Sequence, residues 1–351
     1  MNIIEDERDK IVTLGEIMVR LKSPGHERLF QTPFLEATFG GGEANVAISL
    51  ANYGLPARFV TALPANMIGD AIVSFLRGMS IDTKFIKRQG KRVGTYYLEA
   101  GSGPRPSNVI YDRSHSSISE AKPDEFDFTK IFADACWFHI TGITPALSET
   151  GADLSLAAMK EAKNQGIMVS CDLNYRKKLW KYGKDAPGIM NQLMPYVDVV
   201  IANEEDIQKS LGMELDQKIG GVSLSRDKYA NLAKQLLDEY DNVSTVSITL
   251  RESFSANHND WSAMCYSRKD GQARFSKKYK LKNIVDRVGG GDSFAGGFIY
   301  ALYKGIEIQE ALEFAVAASA LKHTIQGDCN RVSVEEVNHL AKGDASGRVN
   351  R

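Results

Sequence analysis

Asp286-Arg287-Val288-Gly289-Gly290-Gly291-Asp292-Ser293-Phe294-Ala295-Gly296-Gly297 is a glycine turn with an acid at its exit, opening an apolar helix. Three successive glycines let backbone N–H groups turn inward as an anion-binding nest, and a helix beginning there adds the positive end of its dipole. Asp292 follows directly, where a carboxylate can face a bound phosphoryl group as a general base. Read alone, Asp292 is equally a helix cap worth about 0.5–2 kcal/mol, and the rest of the chain must decide between the two.

N-terminal to this turn, short β-branched runs alternate with amphipathic helical patterns, the mark of parallel βαβ units. The pattern predicts strands at Ile11–Gly15, Arg58–Leu63, Ala135–Ile140, Met168–Asp172, Val197–Ala202 and Val243–Leu250. Helices are predicted at Glu43–Tyr53, Met67–Met79, Ser148–Asn164, Asp227–Glu239, Asp292–Tyr303 and Ile308–Thr324. The implied fold class is α/β, a doubly wound and mostly parallel sheet flanked by helices, with ligands at the carboxyl ends of the strands. Ile17–Phe39 and Val93–Arg113 break this rhythm with extended patterns interrupted by Pro24-Gly25 and Gly101-Ser102-Gly103-Pro104. They are expected to project as a small β-layer, serving as a lid that excludes water, as a dimer face, or as both. No linker, repeat or low-complexity tract divides residues 1–351, so one domain is expected.

A second glycine cluster, Phe39-Gly40-Gly41-Gly42-Glu43-Ala44-Asn45, also opens a helix. Glycine exposes backbone for close approach of a hydroxylated ligand, and Asn45 offers both a donor and an acceptor; a tight strand-to-helix turn would look the same. Neither cluster has the GxGxxG spacing, and GxxxxGK[ST] is absent, which weakens dinucleotide and Walker-type readings.

The charge balance, 43 basic against 44 acidic residues, gives no broad footprint for nucleic acid. Cys136, Cys171, Cys265 and Cys329 form no CxxC pair and read as packing residues of a reducing compartment. His139 and His323 lie in apolar contexts without metal-ligand spacing and read as core residues. The charged N-terminal stretch Met1–Lys10 lacks a signal-peptide pattern, and no run approaches the roughly 20 apolar residues of a membrane span. A soluble, cytoplasmic protein with small-molecule partners is expected.

Together, the order and composition of the two glycine turns resemble the ribokinase-like (PfkB) carbohydrate kinases over nearly the whole chain. The resemblance extends to that family's 2-dehydro-3-deoxygluconate kinase branch through Gly15-Glu16, Tyr97, Tyr111-Asp112-Arg113, Gly142-Ile143-Thr144-Pro145, Asp172-Leu173-Asn174-Tyr175-Arg176 and Gly327-Asp328. It implies a ribokinase-like fold with a β-sheet lid, and ATP with Mg²⁺ as co-substrate and cofactor. It assigns the anion hole to Gly289, Gly290 and Gly291 and the base to Asp292. An acid sugar would be held by Gly41, Gly42, Asn45, Tyr97, Tyr111, Arg113, Arg176 and Asp328. The nucleotide would meet Asn174, Thr249, Arg251, Gly289 and Gly291.

A planar guanidinium suits a carboxylate, so Arg113 and Arg176 are the expected selectors of an acid sugar, while Tyr97 and Tyr111 can stack on carbon faces and bond hydroxyls. No direct metal ligand is expected. The family's Asn-x-x-Glu segment appears as Asn203-Glu204-Glu205-Asp206, one methylene shorter at the acid, and suits contact with Mg²⁺ through water. Arg251-Glu252-Ser253 stands where many relatives carry a Lys-Gly type turn around the nucleotide. The small residues of Glu313–Ala320 suit either an adenine ring alongside or close helix packing. A homo-oligomer formed through the lid is expected, and a neutral-sugar kinase and a non-catalytic sugar sensor remain open alternatives.

Overall fold

The structure is a computed structural model that describes residues 9–213 and 225–343. From one edge, its main sheet runs Gln272–Phe275, His258–Ser267, Thr245–Ser255, Val199–Ala202, Met168–Asp172, Ala135–Thr141, Lys10–Leu14 and Ala57–Val60, with Tyr279–Lys282 also pairing on His258–Ser267. Pairs from Thr245–Ser255 through to Ala57–Val60 are parallel, and pairs onto His258–Ser267 are antiparallel. All six predicted strands have a counterpart in this parallel part, although the predicted Arg58–Leu63 leaves it after Val60 and continues as Ala62–Leu63 in a separate two-stranded sheet with Lys87–Arg88. The antiparallel edge is beyond the sequence reading, because its strands carry polar and charged residues that blur the alternation.

Alternate strand residues enter two separate cores, which is why the parallel strands read as continuous apolar runs. Ile11, Phe59 and Trp137 pack on one face with helices Gly42–Asn52, Met67–Gly78, Gly290–Tyr303 and Ile308–Lys322. Val12, Val60 and Phe138 pack on the other with helices Glu149–Asn164, Ala186–Leu193 and Arg226–Glu239. The sheet is therefore doubly wound.

Glu36–Gly40, Met18–Lys22, Thr95–Glu99 and Asn108–Asp112 form a separate four-stranded sheet in that order. These strands come from the two segments that break the βα rhythm. The register places Arg20 beside Tyr96 and Tyr96 beside Tyr111 on one face, and Leu21, Tyr97 and Ile110 in a row on the other.

Helix Gly290–Tyr303 is buried along most of its length, and Phe298 within it is wholly buried. Phe298→Ala is expected to cost about 3–5 kcal/mol by urea unfolding, because the cavity left in this rigid helix–helix interface cannot close. A loss below about 1 kcal/mol would show that the interface relaxes around the void.

Candidate active site

The carboxyl ends of Met168–Asp172 and Val199–Ala202, the glycine turn and one face of the small sheet enclose a cavity of ≈ 610 Å³. Gly289 forms its floor at φ 80°, and a Cβ there would fall 1.9 Å from the Asp328 carbonyl oxygen, so glycine is required by both conformation and space. Around the turn the Gly290 N–H donates to Arg287 O at 3.3 Å and the Ser293 N–H to Gly289 O at 2.9 Å. Gly291 and Asp292 line the cavity and stand in the first helical turn, where N–H groups have no intrahelical acceptor. Nothing stands over Gly291 within 4 Å of where a Cβ would be.

Asp292 is half-buried at the cavity wall, and its Oδ2 accepts a 2.7 Å hydrogen bond from Asn45 Nδ2. Burial pushes its carboxyl up to about 6, the charge of Asp328 adds to the rise, and the Asn45 bond and the charges of Arg176 and Lys322 oppose it. Asn45 is thus the link between the two glycine turns: it starts from the helix that Gly41 and Gly42 open, and its amide holds the late carboxylate. Gly41 lets that helix approach, since a Cβ there would meet Glu16 O at 1.9 Å.

Arg113 and Arg176, both on the cavity wall, differ in electrostatic standing. Arg113 is buried, donates to Glu16 Oε2 from Nε at 2.7 Å and from Nη2 at 2.5 Å, and lies 5.3 Å over the Tyr111 ring. Arg176 is exposed to the cavity, gives Nη1 to the Tyr175 carbonyl at 2.9 Å, and has no carboxylate partner among the described residues. Its charge acts through space on Asp172, Asp206 and Asp292, opposing the rise of each, while no carboxylate bonds to it directly.

Tyr97 differs from the sequence expectation. Side chains alternate along Thr95–Glu99, so Tyr96 faces the cavity and Tyr97 faces outward, with the Phe30 ring 6.4 Å away. The Tyr96 hydroxyl donates to Asp328 Oδ2 at 2.5 Å, while Arg20 holds Asp328 Oδ1 and also pairs with Asp286. Asp328 therefore lines the cavity with both oxygens engaged. Arg20, Tyr96, Glu16, Glu43 and Asp172 were not among the predicted site residues. The signal for Arg20 was its place on the same strand face as Met18, where a charged side chain inside a lid must have a partner.

At the carboxyl end of Val199–Ala202, Asn203 and Asp206 form a capping box, Asp206 Oδ2 accepting from Asn203 N at 3.1 Å and Asn203 Oδ1 from Asp206 N at 2.8 Å. Asp206 Oδ1 accepts from Tyr175 N at 2.9 Å, and burial pushes its carboxyl up to about 6. Asp172 is pushed well above the carboxylate range by burial and by the charges of Asp206 and Asp292. Asn174, held at φ 36°, Thr249 and the exposed Arg251 line the same wall. His139 and His323 are buried, with burial lowering them to about 3 and about 4, as core residues should be.

The pattern of the pfkB family carbohydrate kinases matches residues 8–334. The chain belongs to that family. It is 34% identical over 339 residues to a 2-dehydro-3-deoxygalactonokinase of Haloferax volcanii, covering 96% of this chain and 98% of that protein. A 2-dehydro-3-deoxygluconokinase of Thermoproteus tenax is 28% identical over 321 residues, 91% of this chain and 89% of its own. The crystal structure of a 2-dehydro-3-deoxygluconokinase from Thermotoga maritima superposes with a TM-score of 0.90 at 49% identity, over 96% of this chain and 100% of that one. The protein is therefore a carbohydrate kinase of ribokinase-like fold.

Were Asp292 the base of this kinase, its carboxylate would have to be ionised to take a proton, and the acid limb of kcat/KM would fall near pH 6. Below that limb the rate should fall about tenfold per pH unit. Asn45→Ala removes the donor that favours the ionised form and is expected to move the limb to higher pH, read from coupled ADP release. An acid limb that Asn45→Ala leaves in place would show that it belongs to a group other than Asp292.

Proposed function

We propose that this carbohydrate kinase transfers the γ-phosphoryl group of ATP to the C6 hydroxyl of 2-dehydro-3-deoxygluconate, giving 2-dehydro-3-deoxy-6-phosphogluconate and ADP. The observation that carries the reading is Arg176, an exposed guanidinium on the cavity wall that bonds no carboxylate, whereas the buried Arg113 on the same wall is already paired with Glu16. An acid sugar supplies the carboxylate Arg176 lacks, and Tyr111 and Tyr96 offer ring faces to its carbon chain. The C6 hydroxyl gives its proton to Asp292 and its oxygen bonds to the γ-phosphorus, as the bond from that phosphorus to the β–γ bridging oxygen breaks and ADP leaves. The free N–H groups of Gly291 and Asp292 would stabilise charge on the transferring group.

ATP suits the residues present: the turn offers unused donors, and Arg251, Thr249 and Asn174 line the neighbouring wall. No group of three or more His, Cys, Asp or Glu that could hold a metal occurs among the described residues. Mg²⁺ would accordingly be held by phosphate oxygens and water, with Asn203 and Asp206 reached through water, and would neutralise phosphate charge. The chain would act as one kinase unit, the small sheet closing over the sugar. The outward row Leu21, Tyr97 and Ile110, with Phe30, 71% exposed, beside Tyr97, suits pairing with a second copy. No described helix is long and apolar enough to cross a membrane, which fits a protein of the cytoplasm. The name of the Haloferax volcanii relative favours one second reading, the 2-dehydro-3-deoxygalactonate epimer as substrate.

ADP release with 2-dehydro-3-deoxygluconate, its galactonate epimer, fructose, ribose and gluconate at matched concentrations tests the assignment. The gluconate-derived keto acid is expected to give the highest kcat/KM, and equal rates with neutral sugars would overturn the reading. Asp292→Asn is expected to lower kcat by roughly 10²–10⁴ with the fold intact by circular dichroism. Arg176→Met should raise the acid-sugar KM by about 10- to 100-fold, as expected for loss of a charge-assisted contact, without comparable effect on the KM for ATP. Sedimentation should report a dimer that Ile110→Glu dissociates; a wild-type monomer would rule out the outward face as an interface.

A further inference from the structure

Lys322 is the last residue of helix Ile308–Lys322 and is wholly buried, yet its ammonium is not paired as a surface lysine would be. It donates to two backbone carbonyls, Asp286 O at 3.1 Å and Ile325 O at 3.3 Å. The nearby carboxylates are taken by other groups: Asp286 by Arg20 and the N–H groups of Val288 and Gly327, and Asp328 by Arg20 and Tyr96. Burial lowers the lysine's pKa, and the charges of Asp286 and Asp328 hold it up.

The same helix end grips the glycine turn at further points. Ser319 Oγ donates to Gly290 O at 2.7 Å, His323 O accepts from Val285 N at 2.9 Å, and the His323 ring fills the space beneath Gly290. In a trans peptide the carbonyl and the following N–H point in opposite directions. Anchoring Gly290 O toward the helix therefore turns the Gly291 N–H toward the cavity, and anchoring Asp286 O fixes the first peptide of the turn.

We propose that Lys322 is a positioning residue for phosphoryl transfer, an internal cation that anchors the anion-binding turn from behind and balances the charge of Asp286 and Asp328 beneath it. This rests on the reading of Gly289–Asp292 as the anion hole and base. Arg20 and Lys322 together offset two buried carboxylates. Without the ammonium, one buried negative charge is left directly behind the place where the transferring group gathers charge, and the turn's first carbonyl is released. The effect falls on the transition state, because a preorganised dipole site acts most where charge develops.

The test is steady-state kinetics of wild-type protein, Lys322→Met, Lys322→Ala and Asp292→Asn with ATP and the best sugar of the panel, with thermal unfolding of each. Lys322→Met keeps the length without the charge. Its kcat is expected to fall about 10- to 100-fold while the sugar KM stays within about twofold, the signature of an interaction made in the transition state. Propylammonium chloride, compared with sodium chloride at equal ionic strength, is expected to restore kcat to Lys322→Ala, since it replaces the missing three-carbon stem and ammonium.

Wild-type kcat in Lys322→Met overturns the proposal. So does a loss divided between kcat and sugar KM, with lowered thermal stability and no recovery by propylammonium, because that is a packing role. Should Lys322→Met fail to fold, Ser319→Ala releases only the Gly290 carbonyl and is expected to lower kcat several-fold at unchanged sugar KM; an unchanged kcat there also overturns it. Substantial activity in Asp292→Asn would instead remove the underlying reading of the turn, so the two failures are separable.

Discussion

The buried Arg20 guanidinium, bridging Asp286 and Asp328, is the contact on which the arrangement of the site depends. Desolvating these ions costs several kcal/mol each, and their attraction repays it only in one geometry with every remaining donor and acceptor satisfied. The cluster therefore does little for net stability but fixes position. Arg20 belongs to the small sheet, Asp286 begins the glycine turn, and Asp328 lies on the loop whose carbonyl packs against Gly289. Three segments remote in sequence are held in one register. Tyr96, on the neighbouring strand, joins them through Asp328, so the inward face of the small sheet is tied to the floor of the cavity.

Burial raises the pKa of several carboxyls here, and surroundings separate their roles. Glu43, pushed up to about 7, is buried and its Oε1 accepts from the Thr141 N–H and from the hydroxyls of Thr141 and Thr144, which ties the first glycine-turn helix to the strand Ala135–Thr141. Asp206 accepts backbone N–H groups on both oxygens as part of a helix cap. Asp292 alone among these three is half-buried, next to unused backbone donors, with a side-chain amide steadying one oxygen. A raised pKa marks a buried acid, and it is the geometry around Asp292 that sets it apart from the other two.

The parallel strands, most of their helices and the small sheet were legible in the sequence because each has a strong period or a glycine or proline boundary, whereas the short helices Ala186–Leu193 and Glu204–Leu211 were not. So were both glycine turns as helix openings, and their pairing narrowed what either one alone left open. What sequence could not supply is which of two adjacent tyrosines faces inward: a strand's period separates Tyr96 from Tyr97, but only the register against Arg20 and Tyr111 decides the face. Nor could it tell Arg113 from Arg176. Both suit a carboxylate by type, and the difference lies in Glu16, whose contact with Arg113 joins residues far apart in the chain. Buried networks of this kind leave no local pattern, since each member looks like an ordinary charged residue at its own position.

The small-residue run of Glu313–Ala320 illustrates how a compositional feature with two sequence readings acquires one structural consequence. These residues are largely buried against helix Gly290–Tyr303, where a Cβ on Gly297 would come within 3.1 Å of the Ala315 Cα. Larger side chains on either helix would separate the two axes. Separation would carry Ser319 away from the Gly290 carbonyl and Lys322 away from the Asp286 carbonyl, bonds of 2.7 and 3.1 Å that tolerate little displacement. The close packing that makes Gly296, Gly297 and the alanines necessary is thus also what brings the donors of one helix under the glycine turn of the other. In this fold the geometry of the turn is set by how closely two helices approach as well as by its own glycines.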